Sequence, residues 1–427
     1  LTDDQITYRH SGLVCIDHTL DVPLDHTRPD GPSISVFARE VVAEAFEGTA
    51  GRDLPRLLWL QGGPGGRAER PNAAGAWLRR ALKDFRVVLL DQRGTGRSTP
   101  ADRTTLAAHP DAATYLTHFR ADSIVRDAEL LRRRLQGDRP WTVLGQSFGG
   151  FTTLTYLSLA PEGLSRALIT GGLPTLTAHA DDVYRAAYRR TATANTRYFD
   201  RYPADRALAE RVAAHLADHD VRMPSGERLS VRRFQTLGIT FGTASGFDTL
   251  HYLLECAFVP GPHGPALSDP FLRGVDAVVS LAPRPLYAVL HEAIYAQGGR
   301  ATAWSAQRIR DEFPEFDATG DGPLHFTGEM MYPWMFDEDP ALVPLKATAD
   351  ALARRTDWPA LYDLDRLAAN KVPTAAAVYR QDMFVDHDQS LTTASLVRDL
   401  RPWVSETHLH DGVKADAAVL DHLLTLT

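Results

Sequence analysis

The chain has 427 residues, 44% of them hydrophobic and 23% charged, with a formal net charge of −8. A chain of this size favours a core with one large insertion, or two domains, and can enclose a site without disulfides or a structural metal. Lys and Arg are scattered in short clusters such as Arg132-Arg133-Arg134, which excludes a nucleic-acid groove or a polybasic membrane anchor as a reading. No apolar run reaches about 18 residues, so no transmembrane helix is expected. The two cysteines, Cys15 and Cys256, have no CxxC or Cys/His metal spacing and read as free thiols of a reducing compartment. The first residues, Leu1-Thr2-Asp3-Asp4, are polar and unlike a signal peptide. A cytoplasmic protein is therefore expected, with a removed secretion signal as the alternative because no Met leads the chain.

In chain order, residues 14–20 and 33–42 read as an antiparallel opening pair of strands. Residues 57–60, 85–90, 141–144 and 167–170 are apolar throughout, and each is followed closely by a turn rich in glycine or small polar residues. Such runs fit parallel strands covered on both faces. Between them, residues 123–136 place Ile124, Ala128, Leu131 and Leu135 on one helical face. Residues 148–159 are apolar on most sides, as a buried helix would be. This alternation predicts a doubly wound α/β sheet. After Pro174 the rhythm turns helical as far as about Leu364, with Pro/Gly-rich loops and recurrent aromatics, and strands return at 375–379 and 403–408. The expected organisation is a sheet core from 1–174 and 365–427, with a mostly helical cap at 175–364.

The strongest chemical motif is Gly145-Gln146-Ser147-Phe148-Gly149, placed after a strand and before a helix. A serine on such a sharp turn projects its hydroxyl clear of the backbone, while glycines two positions either side let strand and helix approach closely. Ser147 is thus the candidate nucleophile. Acyl transfer also needs two amide donors for the oxyanion. Phe148, just after the nucleophile, and Gly63, in Gly62-Gly63-Pro64-Gly65, are the candidates. No G-K-[ST] follows that loop, and Gly94-Thr95-Gly96 lacks the third glycine of a dinucleotide fingerprint. No cofactor is expected.

The base and its orienting acid follow the serine in the order acid, then His. Asp382 and His410 come just after the last two predicted strands. Asp386, Asp388 and Asp399 are rival acids, and His408 and His387 rival imidazoles. His215 and His219, four apart on a predicted helix, have no neighbouring Glu and no clear third ligand, so they read as a solvated face and no metal is expected. The Tyr332–Phe336 stretch (YPWMF) reads equally as cap core and as pocket lining.

These residues together resemble the proline iminopeptidases (prolyl aminopeptidases) of the α/β-hydrolase class. The matching motifs are Gly62-Gly63-Pro64-Gly65, Asp91-Gln92-Arg93-Gly94-Thr95-Gly96-Arg97-Ser98, Gly145-Gln146-Ser147-Phe148-Gly149-Gly150, Asp382-Met383-Phe384-Val385 and His410-Asp411-Gly412. In the cap, His291-Glu292-Ala293-Ile294-Tyr295 and Gly328-Glu329-Met330-Met331-Tyr332-Pro333-Trp334 resemble the large-capped branch. The resemblance implies a mostly parallel eight-stranded sheet with the cap inserted after the sixth strand. It implies Ser147, Asp382 and His410 as the catalytic set, and favours Asp382 over Asp386 and His410 over His408. It implies a serine exopeptidase that releases N-terminal proline from peptides. Cap carboxylates would hold the substrate amine, with Glu329 first, Glu292 second and Glu255 third. One departure is Gln61, where the family usually has His. The competing readings are an esterase or amidase of the same fold and a non-catalytic binding protein.

Overall fold

The computed structural model describes residues 6–48, 51, 53–72, 74–318 and 322–427; the polar start at residues 1–4 lies outside them. Eleven strands occur among the described residues: β1 (Thr7–His10), β2 (Leu13–Pro23), β3 (Ser33–Ala43), β4 (Arg56–Leu60), β5 (Arg86–Asp91), β6 (Trp141–Gln146), β7 (Leu164–Thr170), β8 (Phe258–Gly261), β9 (Gly264–Leu267), β10 (Thr374–Tyr379) and β11 (Leu400–Ser405). All but β8 and β9 form one sheet in the order β1-β2-β3-β5-β4-β6-β7-β10-β11. The first three pairings are antiparallel and the remaining five parallel.

Two expectations need correction. The large sheet has nine strands, not eight, and the helical insertion follows the seventh strand, not the sixth. The additional strand is β1, Thr-Tyr-Arg-His, exposed at all four positions. It has no apolar pattern to betray it. Pairing with β2 across the two-residue turn Ser11-Gly12 defines it, and both turn residues have positive φ (50° and 77°), the hairpin geometry that matches strand twist. The last strand also begins earlier than expected, because Leu400 pairs with Thr374 and Ser405 with Tyr379. Arg401 and Pro402 are exposed, as an edge strand allows.

The apolar runs divide between two faces, as period-two geometry requires. Leu58 and Leu60 join one core cluster with Val88, Leu90, Val143 and Ile169. Leu57 and Trp59 join the opposite one with Val87, Leu89, Leu144 and Leu168. The helix Phe148–Leu159 is buried along almost its whole length. Its threonines and serine, Thr152, Thr153, Thr155 and Ser158, each donate to the carbonyl four residues earlier. Polar groups on a buried helix are satisfied in this way without outside partners.

The segment between β7 and β10 is mostly helical, with Ala180–Arg201 its longest helix, and carries the β8–β9 hairpin. Tyr188, Met331, Tyr332 and Phe336 of this segment join a cluster that also takes in Leu106, Leu116 and Phe119 from before β6, while Tyr198, Phe234 and Phe326 pack into the cluster of the sheet. The YPWMF stretch belongs to the first of these: the Tyr332 and Tyr188 hydroxyls lie 2.9 Å apart. The His215 and His219 rings stack at 4.2 Å, with no third metal-ligating group among the described residues. No described helix is long and apolar enough to cross a membrane.

Candidate active site

Ser147 occupies the turn from β6 into the helix Phe148–Leu159, with φ 56° and ψ −125°. This is strained backbone for a residue with a side chain, and such strain persists only where the surroundings enforce it. Its amide donates to the Thr170 carbonyl at 3.1 Å, and its carbonyl accepts from Gly150 at 2.7 Å. A Cβ added to Gly62 would lie 3.0 Å from the Cβ of Ser147, so the loop after β4 runs directly against this residue. Phe148 is the first residue of its helix, where an amide has no intrahelical acceptor. Gln61 faces away from this point: its Oε1 accepts from the Trp59 indole at 2.9 Å, and its carbonyl accepts from Gln92.

Asp382 and His410 meet beyond the ends of β10 and β11. The imidazole Nδ1 lies 2.7 Å from Asp382 Oδ2. Asp382 Oδ1 accepts the amides of Phe384 (2.9 Å) and Val385 (3.1 Å). The Phe384 ring meets the imidazole edge-on at 4.9 Å. Burial favours the neutral imidazole, but the charge and hydrogen bond of Asp382 outweigh it, aided by Glu329 and Asp411. His410 is held above its ordinary value of 6.5. The pair Gly171-Gly172 bridges this group to the serine. A Cβ on Gly171 would lie 3.1 Å from His410 Nδ1, and one on Gly172 2.5 Å from the Ser147 carbonyl. The Ser147 hydroxyl makes no capping bond to the helix that follows it.

The rival groups are engaged elsewhere. Asp386 caps the helix His387–Leu396 and pairs with Arg190. Asp388 pairs with His387 at 2.7 Å, and Asp399 lies beside Arg398. His408 bonds Ser405 and Asp416.

The three carboxylates singled out in the insertion lie in unlike places. Glu329 accepts a hydrogen bond from the Tyr287 hydroxyl, and its charge reaches His410, Tyr295 and His291. Burial and then this charge push the Tyr287 hydroxyl well above its usual range. Ser147, Tyr295 and Glu329 stay half-buried, whereas Asp382, His410 and His291 are at most 7% exposed. Glu292 is turned toward the helix Ser305–Arg310, where it accepts the Ala306 amide at 3.0 Å; burial raises its carboxyl above the usual range. Glu255 is exposed and faces His251 at 3.4 Å.

Tyr287, Tyr295 and the Gly171-Gly172 pair were not singled out as site residues from the sequence. Only the glycine pair carried a local signal, as the end of a strand. The tyrosines are two among many cap aromatics, and no local pattern marks them.

The sheet order, the insertion and the strand–turn–helix at Ser147 define an α/β hydrolase, and residues 55–253 match the family model for the alpha/beta hydrolase fold. Over 423 residues the chain is 47% identical to a proline iminopeptidase of Aeromonas sobria, covering 98% of each. Over 408 residues it is 35% identical to the proline iminopeptidase aneH of Aspergillus aculeatus, covering 93% of this chain and 90% of that protein. The chain belongs to the proline iminopeptidase family.

Proposed function

We propose that this chain is a serine exopeptidase that releases N-terminal proline from peptides through an acyl-enzyme. The observation that carries the proposal is the buried His410–Asp382 pair at 2.7 Å, linked through Gly171-Gly172 to the strained turn of Ser147. The near-full-length similarity to two proline iminopeptidases supports it.

In this reading Ser147 attacks the carbonyl of the first residue and passes its proton to His410 Nε2. Asp382 fixes the imidazole with its Nδ1–H toward the carboxylate and stabilises the imidazolium. The amides of Gly63 and Phe148 receive the oxyanion; losing one such donor costs about 10²–10³ in rate. His410 then protonates the departing peptide amine and activates water for deacylation. The 175–364 segment acts as the cap. Glu329, oriented by Tyr287, receives the protonated secondary amine of proline, and the neighbouring aromatics receive its ring. A carboxylate at that point gains from a cationic ligand and admits one residue before the scissile bond, which gives exopeptidase behaviour. Glu292 and Glu255 serve the amine less directly, since one is committed to a helix terminus and the other faces solvent. Cys15 and Cys256 are both unpaired, which supports a reducing, cytoplasmic setting.

The test is hydrolysis of the chromogenic anilides of L-proline, L-alanine and L-leucine beside an acetate ester, with Ser147→Ala as control. Strong proline preference, abolished in the variant, is expected. Ester cleavage without anilide cleavage would move the function to an esterase, and no reaction with a fluorophosphonate would favour a binding protein.

A further inference from the structure

A cavity of about 490 Å³ lies between the loop after β4 and segment 283–286 of the insertion. Gln61, Gly65 and Gly66 form one wall. The loop and the insertion touch there: a Cβ on Gly65 would lie 2.6 Å from Leu286 Cβ and 2.8 Å from the Tyr287 amide. The cavity therefore borders the same loop whose Gly62 meets Ser147. Arg67 and Arg284 line it, both exposed, and among the described residues neither enters an ion pair. The acid of the lining, Asp102, already accepts the amides of Thr104 and Thr105. The rim thus holds two cations without anionic partners.

Arg284 is also tied to the amine side. Its guanidinium lies over the Tyr287 ring, 4.7 Å from the centroid, and the hydroxyl of that ring donates to Glu329. Glu329 and Arg284 thus flank the same tyrosine, one at its hydroxyl and the other over its ring face. A dipeptide spans at most about 7 Å, so with its amine at Glu329 its carboxylate stays close to this tyrosine and its arginine.

We propose that the cavity is a leaving-side subsite that binds the α-carboxylate of short substrates through Arg284 and Arg67. The inference rests on the aminopeptidase reading above. Arginine suits the role because its planar fork meets a carboxylate with two parallel hydrogen bonds. The preferred substrates are then proline dipeptides with a free carboxyl end, and amidated or longer peptides lose this contact.

The experiment compares kcat/KM for Pro-Gly and its amide, Pro-Gly-NH₂, in the full chain and in Arg284→Ala, Arg284→Lys and Arg67→Ala. The readout is the acid-to-amide ratio, so a general loss of activity in a variant cancels. A ratio of about ten is expected in the parent chain, carried mainly by KM and shrinking as salt is raised. It should fall toward one in both alanine variants and be partly kept in Arg284→Lys. Arg67→Ala leaves the Tyr287 ring contact in place and so separates charge from packing. Equal rates on acid and amide in the parent chain, or a ratio unmoved by both alanine variants, would overturn the subsite. No release of proline from its anilide would overturn the aminopeptidase reading and this inference with it.

Discussion

His410 Nδ1 and Asp382 Oδ2 lie 2.7 Å apart, while the second oxygen of Asp382 is held by two backbone amides. The carboxylate therefore has one orientation. In Asp382→Asn, the amide oxygen would keep the bonds to Phe384 and Val385 and turn the NH₂ group toward the imidazole. His410 would then have to accept at Nδ1 and carry its proton on Nε2, the wrong tautomer for taking a proton from Ser147. A fall in kcat of about 10⁴ on proline anilide is expected, with little change in the thermal midpoint.

The same pair sets a pH dependence. His410 must be neutral to act as base, and its pKa is raised above 6.5 because Asp382, with help from Glu329, outweighs burial. Activity should therefore rise with pH through a limb lying above 6.5. Removing a nearby negative charge removes a raising influence, so Glu329→Gln should move that limb to lower pH. An acetate ester is the right substrate for this profile, because it has no amine to titrate. A limb that stays in place would show that Glu329 does not act on His410.

Glu329→Gln also tests the amine site. Replacing the carboxylate by a neutral amide removes a charge-assisted contact of about 1.5–3 kcal/mol. Proline anilide should show KM raised by about tenfold to a hundredfold, while acetate ester hydrolysis at pH values above the limb changes little. Glu255→Gln, on an exposed side chain, should leave KM within about twofold.

Gly149→Ala is expected to fail on packing. The new Cβ would sit 1.9 Å from the Leu60 carbonyl oxygen, and backbone on both sides cannot yield as a flexible side chain would. A loss of about 3 kcal/mol or more, or failure to fold, is expected by chemical denaturation.

Gln61→Ala separates structure from catalysis at the residue just before Gly62-Gly63. The Trp59 indole is fully buried and donates to Gln61. Truncation leaves it unpaired, at a cost of about 1–3 kcal/mol in stability. A fall in kcat of a hundredfold or more would instead assign the Gln61 side chain to the oxyanion loop's working geometry.

The amino-acid sequence by itself determined the buried strands and the turn at Ser147. Both are local: an apolar run of four to six residues and a glycine-flanked turn carry their geometry with them. It missed β1 and displaced β11, because an exposed edge strand is defined by its neighbour and not by its own pattern. Only the tertiary structure decided which acid meets which base. Asp382, Asp386, Asp388 and Asp399 are chemically alike and close in sequence, yet only Asp382 reaches His410, 28 residues away. The cap was least legible. Glu329 and Tyr287, 42 residues apart, come together where an irregular stretch meets the short helix Pro285–Leu290, and no periodicity encodes that meeting. Glu292, only five residues beyond Tyr287, is turned toward a different helix.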